Sequence, residues 1–212
     1  MILIGMFDSP FVRRVAVSMN LLGMPFEHRN WSVGKDFELI RQFNPLGRVP
    51  TLVQPDGEAL IESNAILDFL DECAGRERAL LPVAGKERRE ALRIMAIATG
   101  AAEKGVTQLY EIVFRPPERR YPPWVERCRT QMHAALAQLE RLSQARRGEW
   151  LSGNRMSQAD ITAAVVYTFL SEALAVNGNA NYPGLSAIAA RCEDMSEFRA
   201  VKAPWFPPNE AK

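Results

Sequence analysis

The sequence predicts a mixed α/β unit followed by an all-helical unit. In about the first 75 of its 212 residues, short apolar runs alternate with helical patterns in the order strand, helix, strand, helix, hairpin, helix. From residue 86 onward, apolar residues recur with helical spacing and no strand signal interrupts them. The charge balance changes as well: residues 1–80 carry 8 basic and 11 acidic side chains, and the rest carry 18 and 14. The chain therefore divides into two units of different character.

The first unit opens with a buried strand and a helix. An apolar run over residues 2–6 predicts the strand, and Asp8-Ser9-Pro10 predicts the start of the helix, which Gly23 closes. A Pro-Asp-Gly turn at residues 55–57 predicts a hairpin. The other predicted elements are a strand over 25–30, a small helix ended by Asn44-Pro45, the hairpin strands over 51–53 and 59–61, and a helix from Ser63 to about Glu72.

The second unit is a series of helices separated by proline-rich breaks. Long helical patterns cover residues 86–114, 124–146 and 156–174, and two shorter ones lie near 185–192 and 195–202. We therefore expect one domain over residues 1–77, a linker over 78–85 and an all-helical domain over 86–212.

Composition excludes several functional classes. The net charge of +1 and the lack of a basic stripe argue against a nucleic-acid partner. No run approaches the roughly 18 apolar residues of a membrane span, so we expect no membrane partner. Cys73, Cys128 and Cys192 are odd in number and widely spaced, which argues against a disulfide framework or a metal site. A cytoplasmic globular protein without a metal is the expectation.

Ser9-Pro10-Phe11 lies where the first strand meets the first helix. Ser is a preferred N-cap and Pro is a preferred first helical residue. Helix initiation alone could therefore account for both residues. The alternative is that Ser9 presents its hydroxyl to a ligand at a helix N-terminus, where anions are favoured.

Two further segments allow both a structural and a functional interpretation. Pro50 precedes a strand; a cis Val49–Pro50 bond would turn the N–H and C=O of Val49 toward an extended ligand, whereas the commoner trans form would be a loop. Ser63 would cap the helix that it begins, or would hold a ligand carboxylate together with the first N–H groups. Glu62 beside it could pair with a ligand ammonium.

These segments, in this order and spacing, resemble the cytosolic glutathione transferase superfamily. The strings are Ser-Pro-Phe-Val-Arg-Arg-Val at 9–15, Asn-Pro-Leu-Gly-Arg-Val-Pro-Thr-Leu at 44–52 and Glu-Ser-Asn-Ala-Ile at 62–66. Ser-Gln-Ala-Asp-Ile at 157–161 looks like the family's buried capping box, so the resemblance covers essentially the whole chain. It implies a thioredoxin-like N-terminal domain (βαβαββα) followed by an all-α helical bundle.

The resemblance also implies a site. Ser9 would activate the thiol of glutathione, as in serine-type members that begin Ser-Pro-Phe. Val49 would bind the cysteinyl backbone, with Pro50 cis. Glu62 and Ser63 would hold the γ-glutamyl end. Lys35 or Arg48 would hold the glycyl carboxylate. The aromatic residues that could form the electrophile pocket, with ordinary core packing as the alternative, are Phe11, Tyr110, Phe114 and Tyr167.

A serine at the activating position narrows the expected chemistry. Members that form mixed disulfides carry Cys there, and this chain has no Cys near the site. Conjugation of glutathione to a small hydrophobic electrophile, typical of detoxification, or peroxide reduction fits better. The rival interpretation is a non-catalytic interaction protein of the stringent-starvation type. The resemblance further implies a homodimer through the Ala-rich surface over 86–108, with Gly100 and Gly105. We expect Arg13-Arg14 on a solvated face, with one arginine turned to the mouth of the site.

Overall fold

The first part of the chain is a four-stranded mixed sheet with three helices. The computed structural model describes residues 1–179 and 182–205, so the last residues of the predicted helical domain, 206–212, lie outside the described part. The strands lie in the order β2-β1-β3-β4, where β2 is parallel to β1 and the other two pairs are antiparallel. The elements are β1 (Ile2–Ile4), α1 (Pro10–Leu22), β2 (Glu27–Arg29), α2 (Phe37–Arg41), β3 (Thr51–Val53), β4 (Ala59–Ile61) and α3 (Ser63–Ala74).

The second part, as far as it is described, is helical. Its helices are α4 (Gly85–Val113), α5 (Pro122–Ala145), α6 (Gln158–Leu174), α7 (Val176–Asn179), α8 (Pro183–Glu193) and α9 (Ser196–Arg199), with a 3₁₀ turn over Pro117–Arg119. The predicted fold class, a thioredoxin-like α/β domain followed by a helical bundle, is therefore confirmed. Among the described residues, no helix combines the length and the apolar character that a membrane span requires.

Helix α1 is the centre of the molecule. It begins with Pro10 as its first residue and ends at Gly23, whose φ of 66° lies in the left-handed region that glycine tolerates. It packs against α3 of its own unit and against α6 and α9 of the helical unit. Polar contacts join the same elements: Gln158 donates from its N–H to the Leu80 carbonyl at 2.9 Å and from its amide to the Ser18 hydroxyl at 3.1 Å. Gln158 of α6 thereby joins the second half of α1 and the segment before α4.

The predicted capping box of α6 is confirmed. The Ser157 side chain caps the helix, and the Asp160 carboxylate accepts from the Ser157 N–H at 3.0 Å. Asp160 is fully buried and also accepts from the Leu151 N–H at 2.7 Å. Burial raises the pKa of the Asp160 carboxyl, and these hydrogen bonds oppose the rise. The box therefore ties the loop before α6 to the helix.

The expectation that Arg13 and Arg14 lie on a solvated face is wrong. The helices that pack against α1 cover both side chains. Arg13 is 5% exposed and Arg14 is fully buried. Arg13 makes a two-pronged ion pair with Glu193, at 2.6 and 2.7 Å, and its Nη2 also donates to the Phe198 carbonyl. Burial opposes ionisation of Glu193, but the hydrogen bonds and charge of Arg13 outweigh it and lower the pKa of that carboxyl.

We expect Glu193→Gln to lower the free energy of unfolding by about 2 kcal/mol at pH 7, because Arg13 stays buried without its counter-charge. Because folding lowers the pKa of Glu193 below its ordinary value of 4.5, the ion pair contributes its full stabilisation above pH 4.5. This contribution is lost as the pH falls through the lowered pKa. Urea unfolding of both proteins across this range measures the difference. A difference that stays constant with pH would contradict this account.

The glycines expected at a dimer surface lie in different environments. A Cβ on Gly105 would collide with the Leu170 side chain of α6, so Gly105 allows close packing inside the bundle. A Cβ on Gly100 would meet nothing within 4 Å. Of the two glycines, Gly100 therefore remains a candidate for a surface between subunits, and the assignment of Gly105 to that surface is corrected.

Candidate active site

A cavity of about 180 Å³ lies where α1, the loop before β3 and the start of α3 meet. Six residues that the sequence analysis singled out line it together. They are Phe11, Arg48, Val49, Pro50, Glu62 and Ser63. Three separate chain segments thus converge on one concave surface, as ligand sites require.

The loop before β3 presents unpaired main-chain groups to this cavity. The Val49–Pro50 peptide bond is cis, as the resemblance implied. Asn44, which is 2% exposed, fixes the loop by donating from its side chain to the Arg48 carbonyl at 2.8 Å. Within the described residues, neither the N–H nor the C=O of Val49 has a hydrogen-bond partner. An extended peptide could pair with both groups in the manner of an added strand.

The start of α3 forms the opposite wall. Glu62 has φ 72° and ψ 127°, and one of its carboxylate oxygens accepts from the Asn64 N–H at 2.9 Å. The Ser63 hydroxyl donates to the other oxygen at 3.2 Å. The N-cap is therefore Glu62, and the prediction that Ser63 would cap this helix is wrong. The reason is the left-handed backbone at Glu62, which brings its carboxylate back over the first turn, so that Ser63 becomes the first helical residue.

Ser9 stands at the N-terminus of α1 with an uncommitted side chain. It is the N-cap by position, with extended φ −72° and ψ 124°, but its side chain makes no capping hydrogen bond. Its carbonyl accepts the first helical bond, from the Arg13 N–H at 2.9 Å. Ser9 does not itself line the 180 Å³ cavity, although Phe11 in the next turn does. The hydroxyl is thus available to a ligand beside the positive end of the helix.

Two of the four predicted pocket aromatics lie at the end of α4, and neither lines the 180 Å³ cavity. Tyr110 and Phe114 are 43% and 49% exposed, and their rings meet edge to face at 4.9 Å. Burial raises the pKa of the Tyr110 phenol; the charge of Arg48 opposes the rise and that of Asp8 adds to it. The hydroxyl of Tyr110 is therefore within electrostatic reach of loops that border the cavity.

Two further predicted site residues, like Ser9, Tyr110 and Phe114, do not line this cavity. Tyr167 is 7% exposed inside the helical bundle, and its ring meets Tyr182 edge to face at 6.4 Å, which is the core packing left open as an alternative. Lys35 is exposed in the turn before α2 and does not line the cavity. Of the two basic residues considered for a ligand carboxylate, the structure places Arg48 in the cavity wall.

Sequence reasoning missed Asn64, Arg14 and Glu103. Asn64 lines the cavity, and its side-chain oxygen accepts from Arg14 at 2.5 Å. Both residues belong to strings that carried the resemblance, so their positions were available but their contact was not. Glu103 of α4 lines this cavity and a neighbouring groove of about 360 Å³, and no sequence signal marked it. Among the residues that the structure describes, no three His, Cys, Asp or Glu side chains are grouped as metal ligands would be.

Comparison with known families matches both parts of the chain. Residues 3–78 match the model of the glutathione S-transferase N-terminal domain, and residues 122–203 match that of the C-terminal domain. Glutathione S-transferase GstA of Escherichia coli O157:H7 is 34% identical over 162 residues, which cover 75% of this chain and 73% of that protein. The uncharacterized GST-like protein YibF of Escherichia coli K12 is 31% identical over 138 residues, covering 65% of this chain and 67% of that protein.

Solved structures agree over nearly the whole chain. A glutathione S-transferase of Methylobacterium radiotolerans, in complex with glutathione sulfonate, superposes with a TM-score of 0.87 at 27% identity and covers 97% of this chain and 95% of that one. A glutathione transferase family member of Pseudomonas fluorescens with bound glutathione gives a TM-score of 0.82 at 26% identity, covering 96% and 99%.

Proposed function

Because the chain belongs to the glutathione S-transferase family, we propose that it binds glutathione and activates the thiol for attack on a small hydrophobic electrophile. The observation that carries the proposal is the cavity, which is lined both by Val49, whose main-chain N–H and C=O are unpaired among the described residues, and by Glu62 and Ser63 at the start of α3. Relatives of the same fold that were solved with glutathione or glutathione sulfonate support it.

Each part of the tripeptide has a complementary partner along this cavity. The γ-glutamyl ammonium would pair with Glu62, and its carboxylate would lie at Ser63 and the N-terminus of α3. The cysteinyl N–H and C=O would pair with Val49, and the glycyl carboxylate would face Arg48. Lys35, which lies outside the cavity, is the weaker candidate for that last role.

The sulfur would lie near the Ser9 hydroxyl at the start of α1. A free thiol with a pKa near 8.5 is only about 3% ionised at pH 7, and the thiolate is the nucleophile. Lowering that pKa by two units requires about 2.7 kcal/mol of preferential stabilisation of the anion. A hydrogen bond to a charged group contributes roughly 1.5–3 kcal/mol, and a helix N-terminus roughly 0.3–1 kcal/mol. Ser9 and α1 together supply enough without a general base.

The reaction is a nucleophilic substitution or addition. The thiol proton is released to water, and a sulfur lone pair forms the new S–C bond. In substitution, the leaving group departs with the electrons of its bond to carbon. In an addition to a conjugated double bond, the π electrons of the attacked bond move into the conjugated system, which then takes a proton from water. Phe11, Tyr110 and Phe114 would hold an aromatic or otherwise apolar electrophile by stacking and burial of its surface.

The remaining features of the proposal come from the resemblance. A homodimer would use the outer face of α4, where Leu92, Met95 and Gly100 line the 360 Å³ groove. A cytoplasmic, detoxifying role fits a substrate that is kept reduced in that compartment. The electrophile would be bound by the helical domain, 86–212.

Three assays on the purified protein test the proposed function. They are calorimetric titration with glutathione, conjugation of glutathione to 1-chloro-2,4-dinitrobenzene, and glutathione-dependent reduction of cumene hydroperoxide. We expect one glutathione bound per chain, and conjugation that saturates with glutathione. Hydroperoxide reduction without conjugation would replace the proposal by a peroxidase. Absence of glutathione binding would overturn it in favour of a non-catalytic interaction protein.

A further inference from the structure

Arg14 is a fully buried cation without a carboxylate in contact. Its Nη2 donates to the Asn64 side-chain oxygen at 2.5 Å, and its Nη1 donates to the Thr162 hydroxyl of α6 at 3.2 Å. Its Nε has no hydrogen-bond partner among the described residues, and no ion pair of the described part of the chain includes it. The guanidinium thus joins α1, the first turn of α3 and the helical unit through two neutral oxygen atoms.

Stability alone does not account for this side chain. Burying a guanidinium that lacks a carboxylate partner costs free energy, and well-packed apolar residues often replace buried charges with a gain in stability. Burial lowers the pKa of Arg14 to about 10, and the charge of Glu62 opposes that fall. The group therefore remains protonated at neutral pH, as a fixed positive charge inside the molecule.

The contacts of Arg14 lead directly to the candidate γ-glutamyl site. Asn64, which Arg14 holds by its side chain, donates from its N–H to Glu62, and Glu62 in turn accepts from the Ser63 hydroxyl. All three residues at the start of α3 line the cavity. The fixed charge lies behind them, where it adds to the positive end of α3 and favours a bound carboxylate.

We infer that Arg14 is a positioning residue for the γ-glutamyl end of glutathione: it clamps Asn64 from inside the fold and thereby sets the geometry of Glu62 and Ser63. The inference rests on the proposed function. Arg14 does not touch the ligand; it acts through Asn64. Because Thr162 anchors the same guanidinium, packing of the helical unit is transmitted to the first turn of α3.

Arg13 provides a matched control on the same helix. It is buried as Arg14 is, but it contacts Glu193 and the carbonyls of Phe198 and Val201, none of which belongs to α3. Arg13→Met should therefore cost stability without altering the γ-glutamyl site. A purely structural role for Arg14 would make the two methionine variants behave alike.

The test measures the binding of glutathione and of cysteinylglycine, which lacks the γ-glutamyl group, with the dipeptide followed by competition. In Arg14→Met we expect the Kd of glutathione to rise about tenfold, with the Kd of cysteinylglycine changed less than twofold. In Arg13→Met both constants should change less than twofold while Tm falls. The inference is overturned if Arg14→Met raises the Kd of glutathione and of cysteinylglycine equally. It is also overturned if Arg14→Met and Arg13→Met change these constants equally.

If Arg14→Met does not fold, two milder variants test the same inference. Thr162→Val removes one partner of the guanidinium, and Arg14→Lys keeps the charge but cannot reach both partners. Each should lower the preference for glutathione over the dipeptide about threefold. An unchanged preference in both variants overturns the inference while the proposed function stands. If the wild type binds no glutathione, both fall together.

Discussion

Ser9→Ala is expected to lower the conjugation rate at pH 7 about 25-fold and to raise the Kd of glutathione about fourfold, because the thiolate fraction falls from about 76% at a pKa of 6.5 to about 3% at a pKa of 8.5. The hydroxyl is proposed to contact only the sulfur, so the Kd measured below about pH 6, where the thiol is un-ionised, should change less than twofold. The remaining affinity is proposed to come from Val49, Glu62, Ser63 and Arg48. Loss of one hydrogen bond to a thiolate returns its pKa toward 8.5, which corresponds to about 2.7 kcal/mol for two units. Steady-state kinetics at saturating glutathione, with calorimetric titration, measures both quantities.

The pH dependence separates this role from a structural one. Above pH 8.5 the thiol ionises without help, so the rates of wild type and Ser9→Ala should converge there. Ser9→Thr keeps a hydroxyl and should retain most of the activity. A 25-fold loss that persists at high pH would mean that Ser9 acts by some means other than lowering the thiol pKa.

The same variant has a matched control in a serine that does cap a helix. The side chain of Ser9 makes no capping bond, so Ser9→Ala should change the free energy of unfolding by less than about 0.5 kcal/mol. Ser157 caps α6, so Ser157→Ala should cost about 1–2 kcal/mol and leave the catalytic rate unchanged. The reverse pattern would show that Ser9 is a cap and not the thiol activator.

The largest effect on stability is expected for Asp160→Ala, with a loss of roughly 3–5 kcal/mol in the free energy of unfolding. The fully buried carboxylate accepts from the Leu151 N–H and from both the N–H and the hydroxyl of Ser157. Removing it leaves those donors unsatisfied at a buried site, at about 1–3 kcal/mol each. Urea unfolding followed by circular dichroism measures the change.

A surface aspartate provides the control for that measurement. Asp68 pairs with Arg88 at 3.2 Å, but its side chain is 72% exposed, so Asp68→Ala should change stability by less than about 1 kcal/mol. If Asp160→Ala costs no more than Asp68→Ala, the capping box is not the folding device described above.

Most of the fold could be predicted from local patterns in the sequence. Strand and helix order follows from apolar spacing and from turn residues, and the capping box needs only Ser157 and Asp160 three residues apart. The cavity residues were predictable because they lie in short strings that carry the resemblance to the family. Val49, Glu62 and Ser63 could therefore be named before any contact was known.

The features that could not be predicted depend on contacts between segments that are far apart in the sequence. Arg13 and Arg14 look like a solvated face until α6 and α9 cover α1. Tyr167 was a candidate for the pocket with core packing as the alternative, and only the packed bundle shows that its ring meets Tyr182. Glu62 replaces Ser63 as the N-cap because its φ is positive, a backbone state that non-glycine residues rarely adopt and that no pattern signals.

The Ser9 hydroxyl is proposed to lower the pKa of the glutathione thiol in the complex. The most direct measurement is the ultraviolet absorbance of the thiolate, followed against pH with saturating protein, in wild type and in Ser9→Ala. We predict a bound-thiol pKa of about 6.5 in wild type and about 8.5 in the variant, with glutathione bound in both. An equal thiol pKa in the two proteins would contradict the claim.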